Sequence, residues 1–150
     1  MTAVSACPLR HQVDPRALRF SAAATAAVLA MVLLLASSTR PVAVGLLGSQ
    51  VAVYGFTAFV SVHWSVWARL FAGIVWPRLG PAADLVEAGP VRRAQGVGFV
   101  LTAAALAAFL RGADTAAYSL TAVTLAGAIL EAATGWRVGS PFRPASRRVS

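Results

Sequence analysis

The chain has 150 residues, the length of one domain. Its apolar fraction of 58% and charged fraction of 12% depart from the ~45–50% and ~25% of soluble domains, and the mean hydropathy is +0.71. The apolar residues form runs long enough to cross a bilayer, which excludes the soluble globular class. The net charge of +8 comes from arginines that flank those runs instead of forming a stripe, which argues against nucleic acid and for orientation by, and contact with, anionic lipid.

Residues 1–19 form a polar arm carrying Arg10, Arg16 and Arg19, with Asp14-Pro15 set to break any early helix. Cys7 is the one cysteine, so the chain can close no disulfide on itself. Val4-Ser5-Ala6-Cys7 faintly resembles a lipoprotein signal, but no apolar run precedes it, which leaves a free thiol on a disordered arm. From Phe20 to Ala36 there are seventeen uncharged residues, about 25 Å of helix, and a first span is expected over residues 17–37. It suffices if Arg19 and Arg40 extend their heads to the interface. A cleaved signal peptide ending near Ala36-Ser37-Ser38 is the competing reading; the long leader and long apolar run favour a retained span.

A short turn, with Pro41 suited to the first position of the next helix, leads to a second span at 42–62. The five-residue link makes the two spans antiparallel neighbours. Residues 63–76 cannot simply continue that span, because the joint helix would be about 52 Å long against a hydrocarbon core of about 30 Å. At helical spacing His63, Val66, Trp67, Leu70, Phe71 and Ile74 share a face, with Ser65, Arg69, Ala72 and Gly73 opposite. That pattern predicts an interfacial amphipathic helix with tryptophan at headgroup level. Pro77, Gly80 and Pro81 end it, and residues 77–93 read as a polar loop. A third span follows at 94–110, with Arg92 and Arg93 at its start, and a fourth at 115–135. Residues 137–150 form a basic, Pro- and Ser-bearing tail expected to be disordered.

Arginine placement orients the whole. The arm has Arg10, Arg16 and Arg19, the connector Arg69, Arg78, Arg92 and Arg93, and the tail Arg137, Arg143, Arg147 and Arg148; the two tight turns have only Arg40 and Arg111. By the positive-inside rule both termini and the connector are cytoplasmic in a bacterial plasma membrane. Trp64, Trp67, Trp76 and Trp136 fall at that same boundary. The expected fold is all-α: a four-helix transmembrane bundle of two in–out–in hairpins, plus the interfacial helix.

With Asp14-Pro15-Arg16, Arg78-Leu79-Gly80-Pro81 and Ala94-Gln95-Gly96-Val97-Gly98-Phe99 in place, the chain resembles a family of small actinobacterial integral membrane proteins catalogued as a domain of unknown function. The resemblance runs from about Val13 to Phe142 and is carried by the order and spacing of these motifs. Members often end the last span with Gly-Phe-Cys-Leu-Gly-Cys and are often encoded near thioredoxin-like and rhodanese-like proteins. This implies, for the family, thiol or sulfur chemistry at the inner face and such proteins as partners. Here Arg137 and Ser140 stand where the cysteines fall, and a dithiol needs two sulfurs. The redox role implied by the resemblance lacks its cysteine pair in this chain.

Gln50, Tyr54, Thr57 and Ser61 lie at i, i+4, i+7 and i+11, and Tyr118, Thr121, Thr124 and Glu131 lie on or near one face of the fourth span. Polar groups in hydrocarbon turn to the bundle interior. They form either a seam for a quinone headgroup, proton or small polar solute, or interhelical hydrogen bonds that hold the helices together. Glu131 is the one ionisable side chain well inside a span; it is either functional or paired with Arg92, Arg93 or Arg137. Gly96-x-Gly98 reads as a close-packing site. His11 and His63 lack a second ligand at metal-binding spacing, and no cofactor, metal or catalytic set is expected. Three functional readings remain: a non-enzymatic scaffold or accessory subunit whose Trp64, Trp67, Arg69, Trp76, Arg78, Arg92 and Arg93 face anionic lipid, a protein partner or another copy; a redox- or sulfur-handling component; and a subunit of a small-solute transporter.

Overall fold

The computed structural model describes residues 12–60, 66–80 and 85–135. Its order is β1 (Gln12–Val13), α1 (Pro15–Leu35), α2 (Arg40–Phe59), α3 (Val66–Ile74), α4 (Trp76–Leu79), β2 (Val86–Glu87), α5 (Ala88–Leu110) and α6 (Asp114–Thr134). The fold is an all-α bundle. Four helices, α1, α2, α5 and α6, are long and apolar enough to cross a membrane. In the bundle α2 packs on α5 and α1 on α6, with α1–α2 and α5–α6 closing the ring.

Local chemistry explains the helix limits. Asp14 is extended and its Oδ1 accepts from the backbone N–H of Arg16 at 2.8 Å, with Pro15 next in the chain. The pair expected to break a helix therefore starts one: Pro lacks only an N–H that a first turn leaves unbonded anyway. At the far end of α5 the chain reverses through Gly112 (φ 77°), and α6 stops at Gly135 (φ 71°), whose N–H reaches the Glu131 carbonyl at 2.8 Å. Both need the left-handed conformation that glycine adopts without penalty.

Three departures from the sequence reading concern the connector. The helix expected over 63–76 is interrupted: α3 ends at Ile74, and Pro77 lies in the separate single turn of α4. Residues 63–65 lie outside the described set. Next, α5 begins at Ala88 instead of 94, so Arg92 and Arg93 are helical. Pro90 falls within the first turn, where the missing donor costs nothing. Finally, β1 and β2 pair antiparallel, Gln12 with Glu87 and Val13 with Val86. This two-residue pairing fastens the starts of α1 and α5 together over a small cluster of Val13, Leu18, Ala88 and Val91.

The apolar core occupies one half of the bundle, toward the tight turns, where Leu29, Val32, Leu47, Ala105, Phe109 and Ala117 pack together. The half toward the connector is filled differently. Its buried side chains include Thr25, Gln50, Tyr54, Thr57 and Thr124.

Candidate functional site

The polar half is built from one stripe on each long helix. On α2, Gln50, Tyr54 and Thr57 are all buried, as their spacing at i, i+4 and i+7 requires of a single face. Ser61, the last member of the expected stripe, lies outside the described residues. Facing them, α6 buries Thr121, Thr124 and Ala128, α5 buries Gly98 and Thr102, and α1 buries Thr25. Four of these threonine hydroxyls bond within their own helices instead of reaching across to neighbours. Thr57 donates to Val53 O, Thr102 to Gly98 O, Thr121 to Ala117 O and Thr124 to Leu120 O, each at 2.7–2.8 Å and one turn back in its own helix. Their donors are spent, so the oxygens face the interior as acceptors. Gln50 is 2% exposed and its Oε1 has no hydrogen-bond partner.

Two aromatic rings lock α2 to α5. A Cβ added at Gly98 would lie 2.8 Å from Tyr54 Cδ1 and Cζ, and one added at Gly55 would lie 3.0 Å from Phe99 Cε2. Adjacent residues thus exchange roles: on each helix a glycine receives the ring that the other helix projects. Gly96, the other half of the motif read as close packing, meets nothing within 4 Å.

Beside this interlock a cleft of about 220 Å³ runs between α5 and α6, with Tyr54 of α2 behind it. Val97, Leu101 and Val123 line it toward mid-bundle, and Gln95 and Glu131 line it toward the connector. A second, smaller void of about 20 Å³ lies under α3, between Trp67, Ser21, Thr57 and Gln95. That is room for about one water, and the buried Trp67 Nε1 lacks a partner there. Gln95 borders both spaces. Of the residues singled out in the sequence, the structure therefore brings Tyr54, Thr124 and Glu131 to the cleft, sets Thr57 and Trp67 at the smaller void, and buries Gln50 apart from both. The sequence reading missed Gln95, Thr25 and Thr102. Gln95, Gly98 and Thr102 at i, i+3 and i+7 on α5 were the available signal.

The arginines at the helix starts do structural work. Arg19 on α1 donates to Ala132 O and Ala133 O at the end of α6, at 3.0 and 2.6 Å. Arg92 on α5 donates to Ala58 O at the end of α2, at 3.2 Å. Arg40 on α2 answers at the opposite rim: it donates to Phe109 O near the end of α5 at 2.6 Å and pairs with Asp114 at 3.0 Å. Each brings a cation to carbonyls at the last turn of a helix, its negative pole, and Phe109 O accepts from Gly112 N as well. Arg16 does the same for the connector, donating to Leu79 O and Gly80 O at 3.4 and 3.1 Å.

Further out, Arg69, Arg78 and Arg93 are exposed. On α3 the apolar face divides. Phe71 is buried against Phe20 of α1, with ring centroids 5.8 Å apart, while Val66, Leu70 and Ile74 stay exposed, as does Trp76 on α4. Trp64, Trp136, Arg137, Ser140, Cys7, His11 and His63 lie outside the described residues.

A ring of four apolar helices with a polar half and a lateral cleft defines a multi-pass membrane protein. Residues 13–148 match the family described as a domain of unknown function, DUF4395, and the chain belongs to that family. Neither the curated proteins nor the solved structures contain a match to it.

Proposed function

We propose that this protein is a non-enzymatic accessory or scaffold subunit of the bacterial cytoplasmic membrane. Both termini and the connector lie on the cytoplasmic side in this reading. The carrying observation is that α3 and α4, the described helices of the connector, are held against the bundle. Phe71 seats α3 on α1, and Arg16 ties down the end of α4 through the Leu79 and Gly80 carbonyls. Held this way, α3 and α4 turn Arg69, Arg78 and Trp76 outward. Val66, Leu70 and Ile74 supply the apolar flank that an interfacial helix lays into the headgroup region. A rigid basic and aromatic surface suits a protein partner with an acidic face.

The test is co-purification of the full chain from native membranes, with a photo-cross-linking side chain installed at position 78. The expected result is one protein recovered in stoichiometric amount and lost from Arg69→Ala/Arg78→Ala. Recovery of lipid alone, or an unchanged partner in the double variant, contradicts the reading.

A further inference from the structure

The cleft between α5 and α6 has the form of a site for one molecule with an apolar body and a polar head. Its volume of about 220 Å³ exceeds the ~150 Å³ of a cavity that accommodates benzene. The walls toward mid-bundle are Val97, Leu101 and Val123. Gly127 belongs to the same wall, and a Cβ there would meet nothing within 4 Å. Val97 and Val123 are respectively 43% and 59% exposed, so the cleft opens sideways, onto the face that lipid covers in a multi-pass protein.

Its connector end has one charged lining residue, an acid, and a base outside the lining stands on the neighbouring helix. Glu131 lies one turn beyond Gly127 and lines the cleft. Arg93 is exposed one turn before Val97, and residues four apart share a helix face. The neutral groups favour a donor. Thr124 has spent its hydroxyl hydrogen on Leu120 O, so it offers only acceptor capacity, and Gln95 offers an amide oxygen as well as its NH2. An occupant that fits therefore carries an anionic group for Arg93, an N–H-bearing cation for Glu131, and an acyl chain for the valine- and leucine-lined walls.

We propose that this cleft is a binding site for an aminophospholipid of the adjoining leaflet. Its ammonium sits against Glu131 and its phosphate against Arg93, and one acyl chain lies over Gly127 between Val97 and Val123. The site is separate from the α3–α4 surface, and its occupancy does not depend on what that surface engages.

The experiment uses the full chain in nanodiscs holding equal amounts of phosphatidylethanolamine, phosphatidylglycerol and phosphatidylcholine with identical acyl chains. The lipid that remains bound on release from the disc is read by native mass spectrometry. Phosphatidylethanolamine is expected to be retained about fivefold over each of the others, because glycerol lacks the cation and choline lacks the N–H. Glu131→Gln removes the preference, and Gly127→Leu, which fills the cleft without touching a charge, removes the retained lipid. Ala126→Leu, on the same helix outside the cleft, leaves retention as in the parent. Equal retention of the three lipids overturns the proposal, as does a preference that survives Glu131→Gln or Gly127→Leu. Where Glu131→Gln does not yield a folded bundle by circular dichroism and gel filtration, the order of the three lipids and Gly127→Leu decide.

Discussion

Tyr54 and Phe99 occupy the volumes that side chains at Gly98 and Gly55 would take, so at these residues the choice of glycine is fixed by contact and not by backbone angle. Gly98→Ala forces the Tyr54 ring away from its place, which costs about 1–3 kcal/mol by the usual scale of overpacking. Gly96→Ala, two residues along, meets open space and is expected to be neutral or slightly stabilising, since alanine favours helix. Denaturant titration of the two variants in one detergent checks this; equal midpoints contradict the interlock. The sequence shows that two glycines lie close together on this helix but not which of them faces a ring, because that depends on the rotation of α5 against α2. The stripe of Gln50, Tyr54 and Thr57 was legible from spacing alone. Gln95 and Thr102 were not read as its counterpart, since a glycine lies between them and small residues carry no polarity to mark the face.

Among the helices, cohesion at the ends comes from arginine. Arg92 and Arg93 are neighbours in sequence and look interchangeable there. In the bundle only Arg92 reaches the Ala58 carbonyl that closes α2. Arg92→Ala therefore leaves that carbonyl without its partner and is expected to lower stability by about 1 kcal/mol, whereas Arg93→Ala stays within about 0.5 kcal/mol. Thermal unfolding of both in detergent separates them, and matching losses contradict the assignment. The existence and type of all four long helices could be read from the apolar runs. The start of α5 could not: proline and two arginines look like loop in isolation, yet Ala88 and Val91 are held down by Val13 and Leu18 from the start of the chain. A contact between residues more than seventy apart is not written in any local window.

Over the whole molecule, charge is divided between the two rims. At the tight-turn rim Arg40 is matched by Asp114, so the sparse positive charge on that side is partly neutralised. Among the described residues the connector rim carries Arg16, Arg19, Arg69, Arg78, Arg92 and Arg93. A reporter fused after residue 85 is expected to report a cytoplasmic location, and one inserted at Gly112 the opposite side. Both on one side, or the reverse assignment, contradicts the proposed orientation. Between those rims the threonines have a mechanical consequence. Because each of the four hydroxyls is satisfied by its own helix, none must surrender a partner when adjacent helices slide or tilt. What holds α2 to α5 at mid-depth is therefore steric, two rings seated on two glycines, and hydroxyl bonds take no part in it.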